Sequence, residues 1–186
     1  MKKRFLLFSI SLVLISVIIT SLISINVNIK NYISEKETSL LTCCNLINMV
    51  ILEELENGGK IDYKMATKFF SEQMDIRLTF VDKEGNVIFD SSQGQRSANM
   101  ENHLNREEIR EALLTGEGRS SRKSSTLDAE YLYVAKSLEY SGETVLITRM
   151  ALEINKLKII NDFLVTTSLI SSLVGILAAI VIAIAY

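Results

Sequence analysis

The chain has 186 residues, 20 of them basic and 22 acidic, with one histidine, two cysteines, no proline and no tryptophan. A net charge of −2 offers no basic surface for a phosphate backbone, which argues against a nucleic-acid partner. With a single histidine, a histidine-based triad or a multi-histidine metal site would need other copies or other ligand types to complete it.

In chain order, Lys2, Lys3 and Arg4 make a basic flank over residues 1–4 and precede an apolar run, Phe5 to Val27, of 23 residues without a formal charge. A second run of 22 residues, Leu164 to Ala185, occupies the terminal segment 163–186. Roughly 20 residues cross a bilayer core as helix, so segments 5–27 and 163–186 are both expected to span a membrane. The basic flank assigns its end to the cytoplasm, which leaves residues 28–162 outside and both chain ends inside. The first run exceeds the roughly 7 to 15 residues of a signal-peptide core, and its exit, Ser24-Ile25-Asn26-Val27, lacks a small-x-small cleavage pattern. An uncleaved anchor is therefore expected. All 22 acidic residues lie within 28–162, against 17 of the 20 basic ones, so the outer part carries a net charge of −5. Its length suits one compact domain between two anchors.

Residues 40–55 contain no helix breaker and are expected to continue the first membrane helix outward until Gly58-Gly59 stops it. Leu40, Cys44, Ile47 and Ile51 form a short heptad-like seam, a candidate contact between two copies of the chain. The same residues suit a helix buried deeply in its own domain. Asp62 can cap a second helix running to about Gln73, with Met65, Ala66, Phe69, Phe70 and Met74 near the helical period. The period then changes to two: Leu78 and Phe80 alternate with Arg77 and Thr79, Asp82–Asn86 turns the chain, and Val87–Asp90 returns. Gly85 supplies the positive φ that such a turn requires.

Residues 91–103 read as polar and irregular. A helix is then predicted from Arg106 to Thr115, with Asn105 as N-cap, Glu108 closing a capping box, Leu104 and Ile109 as hydrophobic staple, and Gly116 as the stop. Three further strands are predicted at about Arg119–Ser125, Tyr131–Leu138 and Glu143–Met150, the last two joined around Ser141-Gly142. The sum is an α+β domain with a five-strand, mainly antiparallel sheet and a long N-terminal helix, set between two membrane helices.

Three blocks carry a family resemblance: Phe80–Ser91 (FVDKEGNVIFDS), Met100–Ile109 (MENHLNREEI) and Gly116–Ser124 (GEGRSSRKS). In order and spacing, together with the flanking apolar runs, the chain resembles the extracytoplasmic PAS-like, single Cache-like sensor region of phosphate-regulon-type sensor histidine kinases. That family commonly has proline where Glu107 stands, and both residues suit a first helical turn. The chain ends at Tyr186, before the HAMP linker, phosphoacceptor histidine and ATP-binding domain that such kinases carry. The resemblance therefore implies a sensor input region with no catalytic site and no cofactor of its own, ATP and Mg belonging to the kinase domain beyond it. It implies a cognate response regulator for the full-length protein. A homodimer in the membrane, responding to an extracellular ligand or protein partner, is the expected working form. Input to a chemoreceptor or a cyclic-dinucleotide enzyme, or a non-signalling envelope protein that binds a partner or the cell wall, are the alternatives.

Several residues have two readings. Arg119, Arg122 and Lys123, interleaved with hydroxyl side chains, can hold a carboxylate or phosphate, or can protect an edge strand, with Arg122 on the opposite face from the other two. Tyr131 and Tyr133 share a sheet face and can line a pocket or fill the core. Glu107, Glu108 and Glu111 read as a solvated helix face. His103 can sense pH near neutrality, or can hydrogen-bond backbone in a loop. Cys43 and Cys44, helical neighbours, are too close and point too far apart to form a disulfide with each other. They read as buried thiols, or as Cys44 meeting its copy across the seam.

Overall fold

The computed structural model describes residues 2–63, 76–123, 129–155, 159–164, 166, 167 and 170. Contacts divide the chain into two units, Met1–Tyr32 with Asn155–Tyr186, and Ile33–Ile154. In the first unit, residues 2–32 and 159–164 are helical. The expected second helix after Asp62 and most of the second apolar run, Leu164 to Ala185, lie outside the described residues. Among the described residues, one helix, Leu22–Glu56, is long and apolar enough to cross a membrane by length and composition.

Helix α1 spans Lys2–Glu56. It ends in a Schellman motif: Gly59 N–H donates to Glu54 O, Gly58 N–H donates to Leu55 O, and Gly58 takes φ +68°. Leu40, Leu41, Cys44, Ile47, Asn48 and Ile51, spaced at the helical period, are buried within the chain's own domain. The seam expected between copies is thereby corrected. Cys44 is 0% exposed and Leu40, Ile47 and Ile51 are 3–6% exposed, so none of them is available to a second subunit. Both cysteines are free, and burial pushes both thiols up.

The sheet has the order β2-β1-β5-β4-β3, antiparallel at every pairing, from β1 (Arg77–Val81), β2 (Val87–Asp90), β3 (Glu117–Lys123), β4 (Glu130–Tyr140) and β5 (Glu143–Ile154). The β1–β2 hairpin turns through Gly85 at φ +86°, and the β4–β5 hairpin turns through Ser141 and Gly142, both with positive φ. Alternation sorts the strands into two faces. On the back, the Asn48 amide donates to Ser137 O (3.2 Å) and accepts from the Thr148 hydroxyl (2.5 Å), joining α1 to β4 and β5 amid buried Leu78, Phe80, Val134, Leu146 and Met150. On the front, Val81, Ala135 and Ile147 pack with Ile109 and Ala112 of helix α2, Glu107–Thr115.

The segment between β2 and α2 is more regular than its sequence suggested, since Gly94–Asn99 forms a 3-10 helix. The start of α2 is corrected by one residue. Its N-cap is Arg106, without a side-chain cap bond, and Asn105 is exposed. This places Ile109, not Glu108, at the third helical position, so no capping box forms. The end is as expected, with Gly116 in the left-handed C-cap conformation at φ +89°.

Candidate functional site

The front face holds the chemistry of the domain. Glu108, expected on a solvated helix face, is instead 0% exposed on the sheet side of α2. Its carboxylate accepts both Arg122 terminal nitrogens (2.6 and 3.0 Å) and the Arg149 Nε (2.8 Å). Both guanidinium groups lie over the ring of Tyr133, at 4.0 Å for Arg122 and 4.4 Å for Arg149. Burial alone would raise the Glu108 carboxyl, but the Arg122 hydrogen bond and the Arg149 charge outweigh it and pull it to about 2. Burial lowers the pKa of Arg149, 3% exposed, and Glu108 opposes that loss.

Close approach of α2 makes this cluster possible. A Cβ at Gly118 of β3 would sit 1.9 Å from Glu108 O and 2.9 Å from Ala112 N, so only glycine lets the helix backbone rest on the strand. Beside the cluster, Asp90 at the end of β2 is fully buried. It accepts from Arg77 Nε (2.9 Å), the Thr79 hydroxyl (2.7 Å), and the backbone N–H (2.9 Å) and hydroxyl (2.6 Å) of Ser92. Burial would raise this carboxyl, and the hydrogen bonds from Ser92 and Thr79 with the Arg77 charge hold it below the ordinary range.

A cleft of about 260 Å³ opens at the β5 exit end of the sheet, lined by Ile76, Arg77, Ser91, Ser92, Tyr131, Ala151 and Glu153. The Tyr131 hydroxyl donates to Glu153 at 3.3 Å, and the Tyr131 and Tyr133 rings lie 6.1 Å apart. Of the five residues expected at a ligand site, the structure brings Arg122 and Tyr133 into the ion cluster and Tyr131 into the cleft. Arg119 pairs with Glu117 (3.7 Å) and lines a second cleft, near the end of α2, with Glu111, Gly116 and Lys136. Lys123 is exposed, and alternation turns it away from the front face. β3 is indeed an edge strand.

Sequence reasoning missed Arg149, Asp90 and Gly118. Arg149 and Thr79 sit in strands whose apolar alternation is clear, and a polar residue at such a position ordinarily marks the solvent side. His103 is a buried loop residue whose Nδ1 faces the Glu101 carbonyl at 2.7 Å, as the backbone-bonding reading expected. Among the described residues, no group of three His, Cys, Asp or Glu is placed to hold a metal ion.

A five-strand antiparallel sheet with a long helix behind it and a short helix across its front defines an α+β domain of the Cache-like class. The single Cache-like family matches residues 29–149, and the chain belongs to that family. No protein of curated function matches it. The fold is similar to the sensor domain of the Vibrio cholerae histidine kinase DctB, at 17% identity and a TM-score of 0.54 over 77% of this chain. It is also similar to the ligand-binding domain of the Campylobacter jejuni chemoreceptor Tlp3, solved with 4-methylisoleucine, at 10% identity and a TM-score of 0.53 over 72% of this chain. The match covers 56% of each of those two chains. At these identities the likeness is one of fold.

Proposed function

We propose that this chain is the extracytoplasmic sensory input region of a membrane-anchored signalling protein, in its most specific form a two-component sensor histidine kinase of the phosphate-regulon type. The observation that carries the reading is the single Cache-like match over residues 29–149, on a domain whose first helix is one unbroken element from Lys2 to Glu56. In this reading segments 5–27 and 163–186 span the membrane, residues 28–162 face outward, and both ends are cytoplasmic. ATP and Mg belong to a kinase domain that follows the chain, and its phosphoryl group passes to a cognate response regulator. The cleft beside Arg77, Tyr131 and Glu153 is the proposed ligand site, with a cation and a carboxylate to orient a small polar molecule. The proposed homodimer uses the outward side of α1, where Leu46, Met49 and Val50 are 55%, 59% and 61% exposed. Chemoreceptor input is a second reading, because the fold is also similar to the Tlp3 domain, at a TM-score of 0.53 against 0.54 for DctB.

Reading the natural coding sequence beyond Tyr186, followed by incubation of the full protein with labelled ATP, tests the kinase assignment. A HAMP linker, a phosphoacceptor helix and acid-labile histidine phosphorylation are expected; a chemoreceptor signalling helix or a cyclic-dinucleotide enzyme domain overturns it. Topology is tested separately with an impermeant thiol reagent on intact cells, using Glu84→Cys in a background lacking Cys43 and Cys44. Glu84 is exposed in the β1–β2 turn. Labelling only after lysis overturns the outward placement.

A further inference from the structure

The segment Glu101–Leu104 works as a clasp between the β1–β2 turn and the start of α2. The His103 N–H donates to Gly85 O at 2.7 Å, and the Arg106 N–H returns to His103 O at 2.9 Å. The Asn102 amide donates to Glu84 O (2.8 Å) and Asn86 Oδ1 (3.0 Å), while its own oxygen accepts from Leu104 N (2.8 Å). Contact is so close that a Cβ on Gly85 would fall 2.5 Å from both Leu104 N and Asn102 Oδ1.

His103 as a residue is 4% exposed, and its ring turns back on the same segment toward Glu101. A backbone carbonyl can only accept, so the 2.7 Å contact with Glu101 O fixes the proton of the neutral ring on Nδ1. A second proton must then go to Nε2. The charged groups acting on the ring from its surroundings are cations: Arg77 from β1, Arg149 from β5 and Arg106 from the N-cap of α2. The carboxylates of the neighbourhood are engaged by those arginines, Asp90 with Arg77, Glu108 with Arg149 and Arg122, and Glu101 with Arg106. A protonated ring would add a further positive charge beside the buried Arg149 and the partly exposed Arg77 and Arg106.

We infer that His103 is an acid-release catch: protonation expels the ring and detaches Glu101–Leu104 from the Gly85 turn, freeing the N-terminal end of α2. Burial first, and then the Arg149 charge, push the imidazole below its ordinary range, with the Glu101 carbonyl opposing them. The sign follows from linkage. The unfolded or released histidine, with a pKa of about 6.5, binds the proton more readily, so clasp stability is complete above that pH and is lost as pH falls through the interval down to the lowered folded value. Among histidine and the ordinary carboxylates, histidine is the side chain that titrates in this range, and the chain has one. This inference does not depend on the ligand or on the output domain.

The test uses the 186-residue chain in lipid nanodiscs. Hydrogen exchange, corrected for the intrinsic pH effect, is expected to rise at least tenfold at His103 and Arg106 between pH 7.5 and 5.0, with β4 and β5 amides unchanged. His103→Asn preserves a side-chain N–H donor near the Nδ1 position without a titratable ring, and is expected to abolish the rise. Imidazole NMR of the wild-type chain gives an assignment without ambiguity and guards against a variant that fails to fold. A ring that titrates at or above about 6.5, exchange indifferent to pH, or a rise that survives in His103→Asn each overturns the inference.

Discussion

The two faces of the sheet are built on opposite principles. Behind it, α1 buries Leu40, Cys44, Ile47 and Ile51 among apolar strand residues, with the Asn48–Thr148 pair as a polar pin. In front, α2 adds Ile109 and Ala112 to a small apolar patch, while Glu108, Arg122, Arg149, Arg77 and Asp90 fill the neighbouring space as ion pairs. Apolar packing tolerates small displacements, whereas a buried charge must keep its partner or leave the interior. On the front face, therefore, stability depends on keeping charges paired, and on the back face it depends on apolar contact that holds the sheet on α1.

The contrast is broken most directly at Glu108. Glu108→Ala leaves Arg149 buried beside Arg122 without their shared carboxylate, and is expected to destabilise the domain by about 3 to 5 kcal/mol. Thermal and urea unfolding measure it; a loss below about 1 kcal/mol would show that the cluster is solvated in solution. The wild-type acid response gives an independent check. The folded carboxyl sits at about 2 against an ordinary value near 4.3, so its contribution is full above the ordinary value and lost as pH falls through that window. Glu108→Gln should remove that segment of the pH–stability curve. Its window lies below the one assigned to His103.

A smaller effect is expected from Gly118→Ala, where the new methyl group meets backbone rather than a movable side chain. Shifting α2 away from β3 should cost about 1 to 3 kcal/mol and lengthen the Glu108–Arg122 contacts. An unchanged midpoint would mean that α2 rides higher on the strand than its contacts indicate. On the back face, Asn48→Ala should cost about 1 to 3 kcal/mol by leaving the buried Thr148 hydroxyl without its acceptor. A paired Asn48→Ala, Thr148→Val variant should recover part of this, because both polar partners are then gone.

The same contrast explains what the residues disclosed in advance. Back-face order was legible because burial there follows the periods of helix and strand: Leu40, Cys44, Ile47 and Ile51 mark one stripe, and Leu78 and Phe80 mark one strand face. The hairpin turn at Gly85 and the C-cap at Gly116 were legible because positive φ selects glycine. Which surface the α1 stripe would meet was not, since a buried seam and an intersubunit seam have the same spacing. Front-face residues were misread for a different reason. Glu108 and Arg149 have the polarity of surface residues, and only their 41-residue separation closed to 2.8 Å makes them interior. No local signal encodes such a pairing. Gly118 was likewise silent, because a glycine in a strand shows its use only when the helix that rests on it is known.

The smallest expected effect tells two asparagines apart. The spacing Asn105 to Glu108 imitates a capping box, and if that box existed Asn105→Ala would cost about 0.5 to 2 kcal/mol. The helix begins one residue later, Arg106 is the N-cap, and Asn105 is exposed. Asn105→Ala is therefore expected to change stability by less than about 0.5 kcal/mol. Asn102 carries the local work instead, since its amide and carbonyl groups bond Glu84 O, Asn86 Oδ1 and Leu104 N. Asn102→Ala should cost about 1 kcal/mol, on the scale of one net hydrogen bond, and speed amide exchange at Leu104. Thermal midpoints and Leu104 exchange, measured side by side for the two variants, decide the matter. If Asn105→Ala proves the more damaging, the helix starts where its sequence first suggested, and the clasp that joins α2 to the β1–β2 turn must be redrawn around a side-chain cap.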